Sequence, residues 1–307
     1  MASSNPAFNS PAFQDPRAVK TYPGGPQAAN IGGPSQYASA SHAGVDAATN
    51  AQLEGAFVAP SANAIDTGRM TVEDTVLKTL GLFAVLLVTA VVGWVWTMSP
   101  VTVANPYPTM TPWIVGALGG FIMSMVVIFG SRKKIRPALI FGYAAFEGLF
   151  VGAISAYFEY LWAGVVVQAT LATLTVVGVT LALFASGKVR ASKRATKVFM
   201  IAMIGYLLFS LINVGLMLFN VPIAGGAFGL SSEPSFILGI PWGVIIGVFV
   251  VIMAAYSLVL DFDMIQQGVR NGAPRQFGWL GAFGIMVTVV WLYIEILRIL
   301  AILRGNN

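Results

Sequence analysis

The sequence predicts an all-α polytopic membrane protein, a bundle of seven transmembrane helices with its N-terminus in the cytoplasm and its C-terminus outside. Three observations predict it. Of 307 residues, 9% are charged and 57% are hydrophobic, against about 25% charged in soluble domains, and the mean hydropathy is +0.78. The 17 basic residues fall into groups separated by long apolar stretches, each near the roughly 20 residues that a helix needs to cross a bilayer. The connections also alternate in charge: 131–136 and 186–197 are basic, whereas 99–112, 158–164 and 219–241 contain no Lys or Arg. Basic loops stay in the cytoplasm, which sets the orientation.

Residues 1–68 are rich in Ala, Ser, Asn, Gly and Pro and cannot bury enough apolar surface to order themselves. They lack the apolar core of a secretory signal, so the segment is read as a disordered cytoplasmic tail ahead of a transmembrane domain at 69–307. A near-repeat occurs in the tail, Asn5-Pro6-Ala7-Phe8 and Ser10-Pro11-Ala12-Phe13, either low-complexity coincidence or a linear docking motif. Thr71, with Asp74 three residues on, is a candidate N-cap and places helix entry near Thr71. The spans follow near 79–98, 113–130, 137–157, 165–185, 198–218, 242–261 and 284–303. Within them Gly116/Gly120, Gly148/Gly152 and Gly243/Gly247 are each four apart, a spacing that lets helix backbones approach closely.

Composition excludes several function classes. There is no cysteine, hence no disulfide, thiolate metal site or cysteine nucleophile. The one histidine, His42, lies in the polar tail, so any pH response must come from carboxylates. The net charge of +5 is mostly topology rather than a basic face with stacking aromatics, which argues against nucleic acid. The spans carry no Gly-x-Ser-x-Gly elbow and no histidine, and no enzyme activity or cofactor is expected.

Six of the twelve acids precede the first span. Among the rest, Glu147, Glu295 and Asp261 pose an energetic question, because an acid at the centre of a spanning helix costs about 2.5–3.5 kcal/mol. Each must face the bundle interior, find a partner or sit neutral. Glu147 lies mid-span in Tyr143-Ala-Ala-Phe-Glu-Gly with no base nearby. Glu295 has Arg298 one turn away on the same face, a candidate intrahelical ion pair. Asp261 and Asp263, two apart at the end of the sixth span, point to different faces; Asp261 is taken as inward and Asp263 as facing cytoplasmic water. If Asp261 and Glu295 meet, the pair binds protons near neutral pH and can hold a hard cation such as Ca2+ through oxygen. A last span starting at 279 would set Glu295 about 24 Å up the helix, too far from Asp261. The pair therefore requires residues 271–283 to lie along the interface before the true span.

Leu260-Asp-Phe-Asp-Met-Ile265, Leu292-Tyr-Ile-Glu-Ile-Leu297, Phe146-Glu-Gly-Leu-Phe-Val-Gly152 and the basic turn before span three resemble the Bax inhibitor family, also called the transmembrane Bax inhibitor motif or YccA-like family. The likeness covers about 70–304, and the Ser4-Asn5-Pro6-Ala7-Phe8 start is similar to its actinobacterial branch. The resemblance implies six helices around a central last one in the plasma membrane. It also implies a pH-sensitive Ca2+ leak governed by acids on spans six and seven, here Asp261 and Glu295. An arginine after span two latches that pair in the family; Arg132 is the match, with Lys133 the alternative. The sequence departs in carrying Glu rather than Asp at 295 and in a longer connection between spans six and seven. A second reading, also implied by the resemblance, is a stress-response regulator that binds a membrane-anchored protease, with the tail as its docking element.

Overall fold

The bilayer core offers no water to backbone N–H and C=O groups, so an apolar span must satisfy them within itself and becomes helical throughout. The computed structural model describes residues 68–131, 134–219, 228–232, 234–235 and 239–305. It contains seven helices long and apolar enough to cross a membrane: α1 (Val72–Met98), α2 (Thr111–Gly130), α3 (Pro137–Leu161), α4 (Val165–Ala185), α5 (Lys193–Leu218), α6 (Trp242–Arg270) and α7 (Gly278–Gly305). Among the described residues there are no strands, only isolated bridges. Side chains such as Leu87, Leu118, Phe121, Leu174, Ile201, Leu208 and Ile252 are exposed, an apolar surface that a bilayer covers. The protein is therefore a multi-pass membrane protein. The predicted disordered tail falls outside the described residues.

Local chemistry explains where the helices begin. Thr71 caps α1, its hydroxyl accepting from the Asp74 N–H at 3.0 Å, and Ser192 caps α5 by accepting from the Ala195 N–H at 3.2 Å. Proline stands in the first turn of α2 and of α3, where its missing N–H costs nothing. α4 is capped from a distance: the Glu159 carboxylate accepts from the N–H groups of Gly164 at 2.6 Å and Val166 at 3.0 Å.

α7 packs against α1, α3, α4 and α6, and 56% of its spanning window is buried against 6% for α5. The last helix is thus the axis of the bundle, while α2 lies on α1 and α3 and α5 stands at the periphery. Small residues let α1 and α3 touch backbone to backbone. A Cβ at Gly148 would run into the Leu86 carbonyl and the Thr89 hydroxyl, and one at Gly152 into the Ala90 carbonyl. Gly152→Leu is therefore expected to lower the thermal unfolding temperature in detergent, by a destabilisation of about 1–3 kcal/mol or more. Gly178→Ala in α4, where a Cβ meets nothing within 4 Å, should leave it unchanged.

Two boundaries that position the central acids differ from those read in the sequence. α6 does not end near Asp261 but runs nine residues further to Arg270, and the turn is made by Gly272 at φ +67°. α7 starts at Gly278 directly after a 3-10 turn at Arg275–Phe277. No interfacial segment spans 271–283. A clasp to the start of α1 fixes this entry. The Met70 N–H donates to Ala273 O at 2.7 Å and the Arg275 N–H to Gly68 O at 2.9 Å. The Arg275 guanidinium donates to Asp74 Oδ1 at 3.0 and 2.9 Å. Lys78 pairs with Asp74 Oδ2, donates to Arg275 O at 2.7 Å and lies 5.3 Å from the Trp279 ring centroid. The last helix is thereby tied to the first at the basic end of the bundle.

Candidate functional site

α6 and α7 run antiparallel through the centre, and each carries one fully buried acid. Asp261, 0% exposed, sits nine residues inside the basic end of α6. Thr288 of α7 donates its hydroxyl to Asp261 Oδ2 at 2.6 Å. Asp263, on another face of α6, is half-buried and accepts from Gln267 Nε2 at 2.8 Å. The i, i+2 spacing separates the two acids as the geometry of a helix requires.

Glu295, 3% exposed, belongs to a second station further along α7. Arg298, one turn on, forms an ion pair with it, and its Nε lies 3.3 Å from Glu295 Oε2. Tyr206 of α5 donates its hydroxyl to Glu295 Oε2 at 2.8 Å. This bond reaches from the peripheral helix to the central one. Glu147 makes a third site on α3, one turn after Tyr143; its carboxylate faces Gly120 of α2, with Oε2 3.0 Å from where a Cβ would stand. Tyr143 in turn packs edge-on against Phe283 of α7 at 4.9 Å between ring centroids.

The sequence pattern of the family described as Bax inhibitor 1 like matches residues 5–305, nearly the whole chain. The chain belongs to the Bax inhibitor 1 like family. No curated protein and no solved structure matches it.

In this Bax inhibitor 1 like protein the two central acids stand apart, which corrects the expectation of a shared pair. Glu295 Oε1 lies 3.3 Å from the Cβ position of Gly247, and Gly247 is fourteen residues of α6, about 21 Å of helix, from Asp261. Along α7, Thr288, which holds Asp261, stands seven residues, about 10 Å of helix, before Glu295, so the carboxylates are on the order of 10–20 Å apart. Oxygen ligands of Ca2+ lie at roughly 2.3–2.6 Å, so the two acids cannot contact one ion in this arrangement. The physical reason is the clasp: by starting α7 at Gly278, it carries Glu295 past the level of Asp261. Among the described residues no three of His, Cys, Asp and Glu gather as a metal site would need. The latch candidates Arg132 and Lys133 lie outside the described residues.

Sequence reasoning missed two residues of this family member, Thr288 and Tyr206. Thr288 is seven residues before Glu295 and so shares its helical stripe, a signal that was present. Tyr206 carried a weaker one: a phenol in mid-span needs a hydrogen-bond partner, but nothing local names Glu295.

Proposed function

We propose that this protein is a pH-sensitive cation leak channel of the plasma membrane, with Ca2+ as the permeant ion and with Asp261 and Glu295 as separate proton-sensing stations. The supporting observation is that each buried carboxylate ties the central helix to a neighbour. Asp261 accepts from Thr288 and joins α6 to α7; Glu295 accepts from Tyr206 and joins α7 to α5. A proton on Glu295 removes its attraction to Arg298 and leaves a buried cation without its counter-charge, which favours any arrangement that lets water in. A proton on Asp261 removes the negative charge that Thr288 binds. Both changes weaken ties between α7 and its neighbours, because a hydrogen bond or ion pair to a carboxylate is stronger than one to the neutral acid, so lower pH shifts the closed-to-open equilibrium toward open. The clasp, which involves neither acid, keeps α1 and α7 joined during the change.

The test is Ca2+ entry into proteoliposomes loaded with an indicator, read across a pH series. Flux above protein-free liposomes that rises as pH falls is the expected outcome; flux equal to protein-free liposomes at every pH overturns the proposal.

A second reading has one observation of its own. The family match begins at residue 5, so the segment with the two Phe-bearing repeats belongs to the family's pattern and is not an unrelated extension. On this reading the protein regulates a membrane-anchored protease or another stress-response partner without conducting ions. Deleting residues 1–67 separates the two: a channel keeps its flux, whereas a tail-docked regulator loses its partner in crosslinking and pull-down.

A further inference from the structure

The stripe of α7 that carries Thr288 and Glu295 also carries Leu292, four residues after the first and three before the second, so all three share one helical face. The opposing stripe of α6 carries Asp261, Leu258 one turn away and Ala254 one turn beyond that. Leu292, Leu258 and Ala254 are each 0% exposed and belong to one buried cluster with Ile296 and Leu297. Asp261 meets Thr288 on one side of this cluster, and Glu295 lies beside Gly247 on the other. A water molecule or cation moving along the α6–α7 seam from one acid to the other has to cross the buried apolar layer that holds Leu258 and Leu292. Apolar constrictions of this kind close a path by excluding water.

We propose that Leu258 and Leu292 form the hydrophobic seal between the two acidic stations, and that the α6–α7 seam is the path it closes. The layer works by volume and apolarity alone. A smaller side chain opens a wettable gap, and a methionine of similar volume keeps it shut. Its role in transport rests on the leak proposed above, whereas its role in keeping the seam dry does not.

The natural absence of cysteine makes the test direct. Ser257, 7% exposed and beside Leu258, is replaced in Ser257→Cys, and its reaction with a small cationic methanethiosulfonate is timed in liposomes with reagent on both sides. Cys at 257 should react slowly with Leu292 present and many-fold faster in Leu292→Ala, with Leu292→Met matching the native rate. Leu292→Ala should also raise Ca2+ flux several-fold at neutral pH. If Leu292→Ala fails to fold, Leu258→Val and Leu292→Val serve in its place with smaller increases expected. Unchanged reactivity in a folded Leu292→Ala variant overturns the seal. Faster reaction with no Ca2+ flux in any variant keeps the seal and overturns the leak.

Discussion

Glu295→Ala is expected to destabilise the folded protein by about 3–5 kcal/mol, the cost of leaving one member of a buried ion pair without the other. Arg298 is 20% exposed at its side chain, and Tyr206 loses its acceptor in the same step. Thermal unfolding in detergent should show a large fall for Glu295→Ala and a smaller one for Glu295→Gln, which keeps an oxygen for the tyrosine. The double variant Glu295→Ala/Arg298→Met should recover much of the loss, because both charges are then gone and the apolar volume is partly restored. If the double variant is no more stable than Glu295→Ala, the ion pair is not what Glu295 contributes.

Asp261→Asn is expected to weaken the pH response of the leak, with flux at alkaline pH raised part of the way to the level that the wild-type chain reaches in acid and the remaining response coming from Glu295. Asparagine has the size of aspartate and keeps an oxygen toward Thr288, yet it carries no charge at any pH; it stands for the protonated acid. Asp261→Glu keeps the charge and should keep a pH response, although the longer side chain displaces Thr288. Both variants are read by Ca2+ flux in proteoliposomes over the same pH series. A normal profile in Asp261→Asn would remove Asp261 from the sensing machinery.

The spans were legible because hydropathy and charge alternation are local properties of the chain, and so were the close helix contacts at Gly148 and Gly152. Helical period made it legible that Asp261 and Asp263 point to different faces, but not which of the two is inward. The end of α6 and the start of α7 were not legible. Charged and polar residues such as Asp263, Gln266, Gln267 and Arg270 mark where a membrane span meets water, but they do not end a helix; the left-handed turn at Gly272 does. The start of α7 depends on Arg275 meeting Asp74, 201 positions away in sequence, and a residue window cannot contain that contact. Tyr206 reaches Glu295 across 89 positions. The separation of the two central acids follows from these distant contacts, which is why sequence spacing suggested a pair.

The clasp between residues 68–70 and 273–275 also dictates an order of assembly. Its first half leaves the ribosome with α1, and its second half is made only after six helices have been synthesised. Until then the Met70 N–H and the Asp74 carboxylate have none of their final partners from the α6–α7 turn, and the space that α7 fills among α1, α3, α4 and α6 is open. The contacts of α7 with α1, α3, α4 and α6, and the fastening of the turn before it to the first helix, can therefore be made only once the last helix has been synthesised. A chain cut short before residue 273 keeps six of its membrane spans but lacks the helix against which α1, α3, α4 and α6 pack.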